Sequence, residues 1–418
     1  MTEPMFGMDP ELFIQHGKSA RSAHKLRRKS GGEYRDTATA VSWTRDGVAV
    51  EYNTAPDLCR DYAVPSLGTA IQDSLKAVRA TWKTATLSSA PRMRLRESDT
   101  VGAPKDVTMF GCNPDYDAYT GLEKAPYLRK GDLMRYTGGH IHLGFHFATT
   151  LAEKRAKAEA LYKNKHCNFK GTVLLNPFMN EEATFEFAAL IATMCDYHIG
   201  LPFVALLGET YKDGETQRRR FYGQAGSFRN QPHGVEYRVL SGRFLLAPSM
   251  TWFALGRAKN LMQSFIFSSA DPRKTVWKRL EALQAKLSFE AVQEIINTHD
   301  YVAARNNVPI LRATEKTFHN DQKFYDAVVA ADQKGIHFRD DVVWNWGIDP
   351  AWKYTIRDHQ YWGSESCGTG RCDELIFPQR GFIKPVYGSY HLHPSTGKAK
   401  CACDGCYFGD ECGRKDIP

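Results

Sequence analysis

The chain has 418 residues, 42% of them apolar, and its 55 Lys and Arg against 47 Asp and Glu leave a net charge of +8. That is the composition of an ordinary globular protein with enough apolar material for two or three domains, which excludes a disordered or collagen-like chain. No uncharged run reaches the roughly 18 residues of a membrane span, and the most apolar stretch, 185–207, is broken by Asp196, His198 and Pro202. The N-terminus meets Glu3, Asp9 and Glu11 at once, without the basic and then apolar pattern of a secretion signal, so a cytoplasmic location is expected. In a reducing compartment the ten cysteines read as thiols or metal ligands.

Residues 5–14 and 47–53 alternate polar with apolar side chains and are predicted strands. They frame a basic stretch, Lys18 to Lys29, which reads as a solvated loop, with a grip on substrate or nucleic acid as the other reading. Leu67, Ile71, Leu75, Val78 and Trp82 recur at three and four residues and predict a helix over 66–82. The stretch 99–139, rich in Gly, Pro, Asp and Tyr, is expected to be loop and turn, leading into a strand over 140–146. A charged helix is expected over 152–163 and an apolar one over 184–200, then a charged loop and a strand over 235–240. Helical periodicity resumes at 249–267 and at Val276, Leu280, Leu283 and Leu287, and helices packing on the sheet are expected as far as Trp346. The expected division is a catalytic core over 1–270, a helical extension over 271–362 and a Cys-rich tail over 363–418.

Side chains two apart on a strand share a face. Four pairs of this kind stand out: Asp9/Glu11, Glu51/Asn53, His140/His142 and Glu236/Arg238. Their neighbours Leu12, Val50, Tyr52, Ile141, Leu143, Tyr237 and Val239 are apolar, so each strand has one oily and one polar face. An ordinary wet face would mix in Thr, Lys, Ser and Gln, whereas these strands supply metal-ligand and phosphate-binding types. Carboxylates with imidazole suit magnesium or manganese. Pro10, which lacks a ladder donor, is expected to push its strand toward an edge or to lie at its start. Arg218, Arg219 and Arg220 precede a segment in which Gly223 and Gly226 permit close backbone approach and Arg229 and Arg238 offer two-pronged forks.

FGMDPELF, VEYNT, RYTGGHIHLG and YGQAGSFRNQPHGVEYRVLSG, in that order over residues 5–241, resemble the phage-type COOH-NH2 ligases (amidoligases) of the glutamine synthetase and glutamate-cysteine ligase superfamily. The resemblance implies an α+β fold: a curved antiparallel sheet forming a half-barrel, with helices outside. It implies metal ligation (Mg or Mn) by Glu11, Glu51, His140 and Glu236, with Arg229 and Arg238 facing phosphate. His142 and Arg220 join those arginines as expected nucleotide contacts, although the sequence does not separate Arg220 from Arg218 and Arg219. The location implied for a phage-encoded chain is the host cytoplasm.

Amide formation from a carboxylate needs activation, and transfer of the ATP γ-phosphoryl group supplies it as an acyl phosphate. The expected activity is therefore an ATP-dependent carboxylate-amine ligase acting on small-molecule or peptide carboxylates and amines, with Asp9 a candidate base for the amine. A guanidino-kinase-like phosphotransferase would need the same ATP, metal and arginines. A nucleic-acid-binding protein using the basic loop and the tail is the rival of another class. In the tail, Cys367, Cys372, Cys403 and Cys406 have spacings that suit a structural zinc site, with Cys401, Cys412, His391 or His393 as substitutes and disulfides or free thiols as alternatives.

Overall fold

The computed structural model describes residues 5–26, 34–36, 41–54, 60–104, 107, 115–124, 132–144, 147–148, 174–175, 181–231, 234–266, 272–314, 322–335, 337–346, 391–392 and 399–400. Among the described residues, fifteen strands lie in the first 240 positions: β1 (Met5–His16), β2 (Ser19–Arg21), β3 (Tyr34–Asp36), β4 (Val41–Asp46), β5 (Ala49–Thr54), β6 (Thr86–Ser88), β7 (Arg92–Arg94), β8 (Asp115–Asp117), β9 (Glu123–Lys124), β10 (Met134–Tyr136), β11 (Gly139–Gly144), β12 (Phe147–Ala148), β13 (Leu174–Leu175), β14 (Ser227–Gln231) and β15 (Gly234–Tyr237). Eleven form one antiparallel sheet in the order β3-β4-β5-β1-β11-β15-β14-β8-β9, with β2 and β6 also on β1. The helices are α1 (Arg60–Thr81), α2 (Glu181–Cys195), α3 (Leu201–Leu207), α4 (Lys212–Arg219), α5 (Pro248–Ile266), α6 (Pro272–Gln284), α7 (Phe289–Thr298), α8 (Tyr301–Thr314), α9 (Gln322–Gln333) and α10 (Val342–Asn345). Mixed helix and antiparallel sheet, the α+β class, is the architecture.

Period-two alternation makes the sheet two-faced. Leu12, Val50, Tyr52, Ile141, Leu143, Val235, Tyr237 and Phe228 point to one side and are buried in the main core with the inner faces of α1, α2 and α5. Tyr52 reaches Ser74 of α1 at 2.7 Å, and Tyr237 donates to Asp196 at 2.7 Å, so even the hydroxyls on the oily face are satisfied. A smaller cluster of Phe13, Ala20, Val48, Leu95 and Val107 closes the far end of β1.

The predicted helix at 184–200 continues from Glu181 to Leu207, passing through a π turn at Asp196–Gly200. By length and composition the segment Phe185–Leu207 could cross a membrane, but 94% of its apolar window is buried inside the protein, as in a core helix. Gly200 is required by the packing: a Cβ there would lie 2.6 Å from the Tyr237 hydroxyl.

Several expectations change. Pro10 does not put β1 at an edge. The strand is interior, and Pro10 falls where β1 changes partner: Met5 to Pro10 pair with β11, Glu11 to Phe13 with β5. The predicted charged loop after 200 contains α4, whose Glu215, Arg218 and Arg219 are buried, because ion pairs and backbone carbonyls replace water around them. The described part of the basic stretch is β2 and a 3₁₀ turn rather than a loop. Arg21 and Lys25 there grip the buried Asp99 at 2.8 and 2.9 Å. Within 99–139 the short strands β8, β9 and β10 are regular structure, and β8 and β9 extend the main sheet. The charged helix expected at 152–163 lies outside the described residues, as do the six tail cysteines.

Candidate active site

The ladder registers put the four sequence pairs on one face. Asp9 lies opposite His140, Glu11 opposite Glu51, and His142 opposite Glu236. On β14, Arg229 lies opposite Glu236. Cross-strand neighbours in register share a face, so the polar side chains of β5, β1, β11, β15 and β14 form one continuous floor, reached by strands far apart in sequence.

Near its centre the floor is densely bonded. Arg238, buried, sends Nε to Asp115 Oδ1 at 2.7 Å, Nη1 to Glu236 and Nη2 to the Tyr222 hydroxyl at 2.5 Å. Glu236, also buried, accepts on Oε2 from Gln231 Nε2 at 2.6 Å and from Arg229 Nη1 at 3.4 Å. Arg229 Nη2 reaches Asp115 at 3.3 Å. Two guanidinium groups therefore share two carboxylates, which holds both planes still. At the margin, Lys124 of β9 contacts Asp117 at 2.5 Å and Gln224 at 2.9 Å.

Asp9 Oδ1 faces both imidazoles, His140 Nδ1 at 3.2 Å and His142 Nε2 at 3.1 Å. Burial by itself would raise the Asp9 carboxyl, but His140 and then His142 hold it well below the usual carboxylate range. Burial, reinforced by Arg238, pushes His140 down to about 3, so its ring is neutral at neutral pH. On its Nδ1 side the ring also meets Arg238 Nη1, at 3.4 Å.

Donor atoms of Asp9, His142 and Glu236 lie within 4.8 Å of one another, as do those of Glu11, Asp46 and Glu51. In the second group Glu11 is buried and accepts from the Gly138 amide at 2.9 Å, and Asn53 donates to Glu51 at 2.8 Å. Burial raises the Glu11 carboxyl well above its ordinary value, helped by Asp46 and Glu51. Burial, Asp9 and Asp46 push Glu51 up to about 7. Two carboxyls, Glu11 and Glu51, that resist ionising beside a third, Asp46, are short of positive charge, and a divalent cation is what such oxygens accommodate. The residues fit the expected metal on that ground.

The structure thus brings Asp9, Glu11, Glu51, His140, His142, Arg229, Glu236 and Arg238 onto one floor, and distributes them unevenly. Glu11 and Glu51 stand in one acidic group; Glu236 stands in the other with Asp9 and His142. His140 Nε2 faces Tyr222 at 2.6 Å. Of the arginine triplet, Arg218 donates to the carbonyls of Thr137, Val239 and Leu240, Arg219 pairs with Glu215 at 3.4 Å, and Arg220 is exposed at the end of α4. Sequence reasoning passed over Asp46, Asp115, Tyr222 and Gln231. Asp46 carried a signal, since Asp46-Gly47 between two alternating segments marks a tight hairpin, and the observed pairing of Asp46 with Ala49 puts Thr44 and Asp46 beside Glu51.

Fold and floor define a class: an α+β protein whose antiparallel sheet carries carboxylates, imidazoles and guanidinium groups on one face. Residues 184–327, which include Arg229, Glu236 and Arg238, match the family described as phage phiEco32-like COOH.NH2 ligase-type 2, and this match supports the family that the motifs resemble and an enzyme with ligase activity. No curated protein matches the chain.

Proposed function

We propose that the protein is an ATP-dependent carboxylate-amine ligase that works through an acyl phosphate, on the glutamine-synthetase-like plan that the motifs resemble. The observation that carries the reading is the division of one floor into a group of three carboxylates, Glu11, Asp46 and Glu51, and a rigid pair of guanidinium groups, Arg229 and Arg238, with Asp9, His142 and Glu236 between. Magnesium or manganese held by the two acidic groups would supply charge to neutralise phosphate oxygens.

Arg229 and Arg238 orient the γ-phosphoryl group and stabilise the charge that spreads over its oxygens in transfer. Arg220 is the member of the triplet still open to phosphate. A substrate carboxylate oxygen bonds to the γ-phosphorus as its bond to the ADP oxygen breaks. The nitrogen of a deprotonated amine then bonds to the acyl carbon and inorganic phosphate leaves. Asp9 stands beside His142 and Glu236, where it serves as a ligand or as the base that takes the amine's proton. Incubation with ATP, magnesium and host metabolites, followed by mass spectrometry, tests the reading. A condensation product with equal ADP and phosphate is expected. A phosphorylated product with ADP and no free phosphate would replace the ligase with a phosphotransferase.

Metal binding should be pH-dependent in a particular direction. The Glu51 carboxyl, raised to about 7, holds its proton below that pH, so a cation at Glu11, Asp46 and Glu51 must displace protons. Affinity for manganese is expected to climb as pH rises from 6 to 8, by up to about tenfold per pH unit for each proton displaced. Without metal the raised Glu51 carboxyl works the other way: its stability contribution is present below the unfolded-state value near 4.5 and is lost as pH rises through about 7. Isothermal titration with manganese in two buffers of different ionisation heat counts the protons. A binding constant that does not change with pH would remove the cation from this group.

The tail belongs to the same proposal. Zinc held by Cys367, Cys372, Cys403 and Cys406 predicts about one zinc per chain in protein purified without chelator, and metal-free protein with six alkylatable thiols would exclude both zinc and disulfides.

A further inference from the structure

Asp196 lies on the oily side of the sheet, fully buried at the first position of the π turn between α2 and α3. A carboxyl buried among apolar side chains is costly unless its oxygens are bonded. Here three groups from three places in the chain meet it: the Tyr237 hydroxyl on Oδ1 at 2.7 Å, and on Oδ2 the Gly226 amide at 2.6 Å and the Tyr119 hydroxyl at 2.8 Å. We propose that Asp196 is a positioning residue of the candidate site: from behind the sheet its one carboxyl ties β15, β14 and the turn after β8 to a single point, and so sets the spacing of the side chains that these strands present on the floor.

Each tie sits beside a residue of the floor. Tyr237 lies between Glu236 and Arg238, and alternation turns those two to the opposite face. Gly226 directly precedes β14, which carries Arg229. Tyr119 lies just beyond β8, which carries Asp115 and Asp117, and its amide donates to Asp117 Oδ1 at 2.8 Å. The floor contacts between Arg238 and Asp115 at 2.7 Å, Arg229 and Asp115 at 3.3 Å, and Arg229 and Glu236 at 3.4 Å all cross from one of these segments to another. They keep their lengths only while β8, β14 and β15 keep their places. The ladder to β14 holds β8 at two positions, Ser227 with Asp117 and Phe228 with Tyr116, and beyond β8 only β9 remains in the order of the sheet. A bond from the core to the turn after β8 therefore adds what a short ladder lacks.

The three bonds hold whichever protonation state the carboxyl is in. The amide can only donate, and each phenol can donate to a carboxylate oxygen or accept from a carboxyl hydroxyl. The close approach also depends on Gly226, which has φ +74° and where a Cβ would lie 2.7 Å from Tyr119 Cδ2. The Tyr119 ring stands edge-on to Phe289 of α7 with centres 5.6 Å apart, and the preceding amide, Ala225, donates to Asn297 of the same helix at 2.8 Å. Two successive amides at the entry to β14 are thus held by side chains from behind the sheet. A π turn, a feature frequent at functional sites, supplies one of them.

The bonds stand on geometry, and their effect on turnover rests on the ligase reading, so the two are measured apart. Tyr119→Phe keeps the ring against Phe289 and removes one tie. Hydrogen-exchange mass spectrometry is expected to show amides over 115–119 and 226–229 exchanging about tenfold faster in it, with β5 unaffected. Its kcat for ATP-dependent ligation should fall about tenfold with the KM for ATP little changed, as for misaligned groups. Tyr197→Phe is the control for stability alone: Tyr197 is in the same π turn, but its hydroxyl donates at 2.6 Å to the carbonyl of Leu287, between α6 and α7. That variant should melt at a lower temperature and leave kcat as it was. Asp196→Asn can still accept from Gly226 and Tyr119 on Oδ1 and donate from Nδ2 to Tyr237, so it should keep kcat within about threefold. Unchanged exchange over 115–119 and 226–229 in Tyr119→Phe would overturn the proposal. So would a kcat in Tyr119→Phe equal to that of Tyr197→Phe, or a kcat in Asp196→Asn below that of Tyr119→Phe. Absence of ligation in the unmodified protein would overturn the ligase reading instead, and the exchange rates would still decide the tie.

Discussion

Glu236→Gln is expected to lower ATP-dependent turnover by about 10³-fold or more, on the scale of losing a dominant electrostatic group in a dry site. Glu236 is the junction of the floor. One oxygen meets Arg238 and faces His140 Nδ1 at 3.5 Å, the other accepts from Gln231 and Arg229, and the carboxylate stands with Asp9 and His142 in a candidate cation group. Gln keeps the shape and one acceptor oxygen while removing the charge. It also leaves buried Arg238 with less compensation, and breaking a buried pair costs about 3–5 kcal/mol when nothing else answers the remaining charge. Here Asp115 still contacts both arginines, at 2.7 and 3.3 Å, so the stability loss should fall below that range and the folded protein should persist at 25 °C. Thermal unfolding and ADP release on the same sample separate the two effects. Full turnover by folded Glu236→Gln protein would remove Glu236 from the chemistry.

The parts of this site that were legible in the sequence are those governed by a period. Alternation at two residues gave Asp9/Glu11, His140/His142 and Glu236/Arg238 a common face without knowledge of the partners, because register preserves faces across a ladder. Which residues meet across the floor was not legible. The same alternation ran through Asp115 and Asp117 with Tyr116 between, but the surrounding Gly, Pro and Asp residues read as loop, and it is pairing with β14 and β9 that makes β8 a strand. Tyr222 obeys no period that points to the site, since its place depends on how Arg218 ties the end of α4 to the carbonyls of Thr137, Val239 and Leu240. The buried arginines of α4 were hidden for another reason. A run of three arginines normally means solvent, and here the shielding carbonyls at 137, 239 and 240 come from two other segments.

Arg238→Lys should separate charge from geometry. Arg238 uses its guanidinium in three directions at once, toward Asp115, Glu236 and Tyr222. A lysine ammonium keeps the positive charge but is a single centre on a flexible stem, and from one position it can serve one or two of these partners. The buried carboxylates keep a counter-charge, and Arg229 remains against both, so ATP affinity should change by less than about tenfold. Turnover should fall much further, by about 10²- to 10³-fold, because charge developing on the transferring phosphoryl group calls for donors fixed in advance. The expected pattern is therefore a depressed kcat with a nearly constant KM for ATP. The Tyr222 hydroxyl, left without its guanidinium donor, should turn more freely and loosen His140 as well. Steady-state kinetics alongside nucleotide titration reads the split directly. If kcat in Arg238→Lys matches the unmodified protein, the planar fork has no part in the transfer and Arg238 serves only to neutralise Asp115 and Glu236.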